Sequence, residues 1–177
     1  MYTREQIESA VKAKGYKWFE NGDYNVNIVG IRNMETGDRV TNRFDDHLTI
    51  SYKVDGEWCY EIFNCTTDPG DDWMDKPMLE KGCAILVPGQ YRGSHKLRLH
   101  QGKYLALGQQ RPVKVYRDRD KDGMYDFDET TIDEGLFGIN IHRATKYAGK
   151  TSTYVDKWSA GCQVIASNDD WHCFLDI

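Results

Sequence analysis

"HLTISYKVDGEWCYEIFN", His47 to Asn64, decides the fold class. Runs 47–54 and 57–64 are rich in β-branched and aromatic residues and flank Asp55-Gly56, a dipeptide suited to the positive φ angles of a tight hairpin. Working outward, "YNVNIVGIR" (24–32), "CAILVP" (83–88), "KYLALGQ" (103–109), "PVKVYR" (112–117), "LFGINIH" (136–142) and "CQVIA" (162–166) read as further strands. "TTDPGDDWMDKP" (66–77) is a loop dense in turn residues. Helical signals are confined to the ends. Thr3 and Gln6 form a capping box, Ile7, Ala10 and Val11 share a face, and Gly15 is a natural stop, giving a helix over about 3–15. Ser167 or Asn168 caps a last helix in "DDWHCFL". With no internal repeat or linker, residues 1–177 are expected to form one mostly-β, β-rich α+β domain with short helices near its termini.

Composition narrows the function classes. The chain of 177 residues is 40% hydrophobic and 29% charged, with 11 Tyr and 5 Trp, a globular composition. A net charge of −5 argues against sequence-independent nucleic-acid binding, which rests on Lys and Arg. No run is apolar for a bilayer's width, so no membrane insertion is expected. "MYTREQIESAVKAKG" has no apolar h-region, so the chain is expected to be cytoplasmic as synthesised. Five cysteines, an odd number with no CxxC pair, argue against a disulfide framework and a zinc ribbon. Cys59 and Cys83 lie in apolar runs and read as small core residues. A monomer without an organic cofactor is expected.

The chemistry concentrates in "GINIHRATKYAGKTSTYVDKWSAGCQVI", Gly138 to Ile165. An apolar strand pattern ends on His142. Ser159-Ala160-Gly161-Cys162 then leads into the next apolar run. A cysteine attacks as thiolate and needs a base, which a histidine supplies. A glycine just before it allows close backbone approach, and N–H groups around Gly161 and Cys162 could hold an oxyanion. In this scheme Ser159 braces the loop, and the carbonyl of Arg143 or Ala144 orients the imidazole. An activated Cys162 is expected to alkylate well below pH 8, ahead of the other four cysteines.

Sixteen residues separate His142 from Ser159. The order histidine, spacer, Ser-x-Gly-Cys resembles the L,D-transpeptidase (YkuD-like) family, on His142, Ser159, Gly161 and Cys162. Papain-like and NlpC-like peptidases run cysteine first. The family's second histidine is Ala160 here, its polar residue two after the cysteine is Val164, and Gln163 and Arg143 also depart from its usual residues. The resemblance implies a β-sandwich or barrel-like catalytic domain, with its motif at 136–166. It implies a cysteine-dependent hydrolase or transpeptidase acting on peptidoglycan stem peptides through an acyl-enzyme. The chain as a whole also looks similar to proteins of tailed phages, which suits an endolysin that reaches the wall after release. The competing expectation is a non-catalytic, calcium-stabilised wall-binding or phage structural domain.

"DRDKDGMYDFDE", Asp118 to Glu129, matches D-x-D-x-D-G-x5-E residue for residue. In such a loop Asp118, Asp120 and Asp122, the Met124 carbonyl, Asp126 and a bidentate Glu129 surround calcium. Residues 117–134 hold eight acidic and three basic side chains, a repulsion that favours a counter-ion over a solvated turn. The expected cation is structural.

His95, His100 and His142 could form a three-histidine zinc site, but surface histidines on a strand pair are the favoured reading. His100 or Tyr91 is a candidate for the cleft around Cys162, as are Arg143 and Trp158. Trp158 reads more readily as core, and His172 as surface.

Overall fold

The computed structural model describes residues 2–177. Strands take 34% of the chain and helices 15%, so the fold is a β-rich α+β domain with a curled sheet. Helix α1 (Arg4–Ala13) opens with the capping box complete in both directions. Strand β1 (Asn27–Ile31) pairs antiparallel with β2 (Asp46–Val54), and β2 turns through Asp55-Gly56 into β3 (Glu57–Thr66). Both turn residues have positive φ, 51° and 83°, as the hairpin reading requires. A short helix α2 (Asp71–Asp75) interrupts the segment expected to be a loop.

Next come β4 (Ala84–Leu86), β5 (His95–His100), β6 (Tyr104–Gln109), β7 (Val113–Arg117), β8 (Asp133–Gly135), β9 (Ile141–Arg143), β10 (Gln163–Ile165) and α3 (Asn168–Leu175). Seven strands form one sheet in the order β1-β2-β3-β10-β9-β6-β5, and a smaller sheet runs β4-β7-β8. β10 is antiparallel to β3 and parallel to β9. Ser167 caps α3 by accepting the Asp170 N–H. Trp171 and Phe174 of α3 pack with Leu48, Phe63, Ile141 and Ile165 into the main core.

Two expectations are corrected. Residues 136–140 are not strand. Gly138 sits at φ 73°, and Phe137 and Ile139 donate their N–H groups to the side-chain oxygen of buried Gln109 at 3.1 and 2.9 Å. The apolar alternation packs this segment, while a glutamine replaces the strand partner. His95–His100 forms an edge strand paired with β6, which agrees with the strand-pair reading of these histidines. Cys59 is only half-buried, whereas Cys65 and Cys83 are buried; all five cysteines are free thiols.

Candidate active site

The parallel pair β9–β10 brings the two sequence-distant residues together. Gln163 is in register with Ile141 and Val164 with His142. Paired residues share a side of a sheet, and continuing the alternation of β10 back by one residue puts Cys162 on the side of Val164 and His142. Two strand steps along and one strand across amount to roughly 8 Å between backbones, a gap that an imidazole and a thiol side chain can close.

His142 is 5% exposed, and its Nδ1 lies 2.8 Å from the Arg143 carbonyl. A carbonyl can only accept, so Nδ1 carries the proton and Nε2 keeps its lone pair. Burial pulls the imidazole pKa down to about 4, against the Arg143 hydrogen bond that raises it; His100 and the Arg143 charge depress it further. His100 stacks on His142 with ring centroids 4.4 Å apart, and the Tyr104 hydroxyl lies 3.4 Å from Nδ1.

The Cys162 thiol donates to the Gly138 carbonyl at 3.3 Å, and its sulfur accepts the Asn140 N–H at 3.5 Å. The imidazole is not among its hydrogen-bond partners. Burial pushes the thiol up to about 11, opposed by the Asn140 N–H. Both shifts favour the uncharged form of their group. The resting pair is therefore neutral thiol and neutral imidazole. Both directions run against the expectation of a thiolate reactive below pH 8, which the pH dependence of alkylation tests.

The loop before Cys162 is braced from within. Ser159, 0% exposed, donates to the Cys162 carbonyl at 2.8 Å and accepts the Gly161 N–H at 3.1 Å. The Gly161 N–H is thus committed, while the Cys162 N–H has no partner among the described residues. Gly161 lies at φ 124°, and a methyl group there would run into the Ala84 carbonyl of β4. Val164 is fully buried, which suits an apolar residue at that position.

Beside the pair is a cleft of about 230 Å³ lined by Arg98, His100, Gln101, Ala106, Gly108 and Asn140. Arg98 lies across Gly108, where any side chain would collide with it. Of the cleft candidates, His100 is in place. Arg143 turns its guanidinium over the Tyr104 ring at 4.2 Å and donates to the Thr145 carbonyl. Tyr91 is drawn off into the β4–β7 packing, its hydroxyl donating to the Val87 carbonyl at 2.7 Å. Trp158 is 45% exposed rather than core. His95 bonds the Ile139 carbonyl at 2.6 Å, and no histidine belongs to a metal-capable group among the described residues. Sequence reasoning missed Asn140, Tyr104 and Gln109; the amide-rich positions 109 and 140 were the available signal.

In the acidic loop, Asp118, Asp120 and Asp126 converge, one oxygen of each within 4.8 Å of the others. Asp122 and Glu129 stand outside this trio. Asp122 accepts the Met124 N–H at 2.8 Å. Glu129 opens a 3-10 turn, Glu129–Thr131, capped by Asp128, which draws it away from the closing role expected of it. Met124 is tied by a backbone bridge to Arg39.

Comparison of the chain with protein-family models, with curated proteins and with solved structures finds no match in any of the three. Among the described residues, no helix is long and apolar enough to cross a membrane.

Proposed function

We propose that this chain is a cysteine acyl-transfer enzyme acting on peptidoglycan stem peptides, with the acyl group carried on Cys162. One observation supports the reading: Cys162 directly precedes β10, which pairs in parallel with the strand that carries His142, and the Nε2 lone pair is left free by the Nδ1 hydrogen bond to Arg143. In the mechanism, Nε2 takes the thiol proton as sulfur bonds to the substrate carbonyl carbon. Because the resting pair is neutral, proton transfer and attack are coupled. The Cys162 N–H is the free donor for the oxyanion. The C–N bond then breaks, the imidazolium gives its proton to the departing amine, and a thioester remains. Water yields hydrolysis; an amine yields transpeptidation. The Arg98 guanidinium in the adjoining cleft suits the carboxylates of stem peptides.

The test is digestion of purified peptidoglycan with mass identification of the products. Cys162→Ala should abolish product formation with the melting curve retained, and His142→Ala should reduce it by at least a hundredfold. A Cys162→Ala variant that still cleaves would overturn the assignment. A wall-binding domain without chemistry is the second reading, favoured by the sulfur's bonds to Gly138 and Asn140 in place of the imidazole. Sedimentation with peptidoglycan but no products identifies it.

A further inference from the structure

We infer that the loop from Asp118 to Asp126 is a calcium site built on the carboxylates of Asp118, Asp120 and Asp126. This goes beyond the acyl-transfer reading and stands without it.

Three acidic side chains near one another are common on surfaces and need no ion. Asp118 sets this group apart. It is 0% exposed, and although its Oδ1 accepts the Lys121 N–H at 3.0 Å, its Oδ2 is buried with no partner. A buried carboxylate oxygen without a donor is costly. The adjacent Arg117 does not relieve it: its two terminal nitrogens donate to the Gly82 carbonyl and to Asp133, and its Nε makes no hydrogen bond to Asp118 or to any other group among the described residues. What the group faces instead is more negative charge, from Asp120 and Asp126. A cation resolves both the missing partner and the repulsion.

The geometry selects the class of ion. Two ligands on one calcium can be separated by at most twice the metal–oxygen distance, roughly 4.6–5.2 Å, and the three oxygens fall within 4.8 Å of one another. The donors are all hard oxygens with no nitrogen or sulfur, which disfavours zinc and copper. Magnesium demands a near-ideal octahedron that a flexible loop does not impose. A second acidic group, Asp71, Asp72 and Asp156, is wholly exposed and has no such orphaned oxygen, so it serves as the control.

The site would stabilise the small sheet where it backs the Cys162 loop. The Asp118 N–H donates to the Cys83 carbonyl at 3.3 Å, and Ala84, the next residue, presents the carbonyl against which Gly161 is packed.

The experiment uses the full chain after EDTA treatment and removal of the chelator. Terbium is added as a luminescent calcium substitute, with Tyr125 inside the loop as the sensitiser, and melting curves are recorded in EDTA, calcium and magnesium. Terbium should bind at one equivalent and be displaced by calcium. Calcium about a hundredfold above its dissociation constant should raise Tm by roughly 5–10 °C, and magnesium by less than half of that. Asp118→Asn should melt in EDTA no lower than the unsubstituted chain, because a buried charge is gone, and should not respond to calcium. Asp120→Asn, at an exposed position, gives the same loss of response if the first variant does not fold. Asp72→Asn should respond as the unsubstituted chain does. Identical melting in EDTA and calcium, or a response that survives Asp120→Asn and disappears in Asp72→Asn, would overturn the assignment. Neither readout uses catalysis, so failure here and failure of the acyl-transfer reading are separate results.

Discussion

His142 is held neutral by its surroundings, and this has a measurable consequence. Above pH 6.5 the imidazole is uncharged in both folded and unfolded chains. Below that, the unfolded chain takes a proton, while the folded one refuses it until about pH 4. Stability therefore falls with acidity across this window, by up to about 3 kcal/mol from this group. The loss in urea midpoint between pH 7 and pH 4.5 should be smaller in His142→Gln than in the unsubstituted chain. Equal losses would mean that the ring is not buried neutral. Cys162 gives the complementary prediction. With its thiol raised to about 11, alkylation by iodoacetamide, followed by peptide mass mapping, should keep accelerating through pH 8–10 rather than level off below pH 8. At this scale part of the site was legible: the Arg143 carbonyl does hold the imidazole, and His142 and Cys162 lie on or beside the paired strands β9 and β10. The sequence did not reveal the state of the pair, because burial of a thiol depends on chain segments far away in sequence.

Elements show where reading from sequence stops. The hairpin at Asp55-Gly56, the capping box at Thr3 and the Ser167 cap were legible because each is decided within a few residues. β5 was legible only as one half of a strand pair, without bounds, because "HKLRLH" alternates charge with leucine while remaining largely exposed on both faces. β8, "DEG", has no strand propensity of its own and exists through pairing with β7. The segment 136–140 misled in the opposite sense: its apolar pattern is that of a strand, but Gln109 satisfies its backbone from across the fold. That glutamine also donates to the Arg111 and Gly135 carbonyls at 2.9 and 2.8 Å. Gln109→Leu would leave buried backbone groups unpaired, at a cost of about 3 kcal/mol. Urea denaturation should show the lower midpoint. Acyl transfer should fall as well, because Gly138 and Asn140, the sulfur's two hydrogen-bond partners, lie on the freed segment.

For the whole molecule, the order of strands matters more than any one of them. β10 lies between β3 and β9, so the seven-stranded sheet is closed at its middle by the last strand in sequence. Before β10 docks, β1-β2-β3 and β9-β6-β5 are separate ribbons with unpaired inner edges. A chain ending at Ala160 should therefore show no cooperative melting transition in circular dichroism. Retention of one would place the stability of the fold elsewhere.

That central position also sets a clock. Cys162 leads directly into β10, so it comes beside the strand that carries His142 only when the sheet closes. Chains still on the ribosome, and chains that stall or are clipped near their end, carry a cysteine with no partner. On the proposed acyl-transfer reading, reactivity would arise only once β10 has docked.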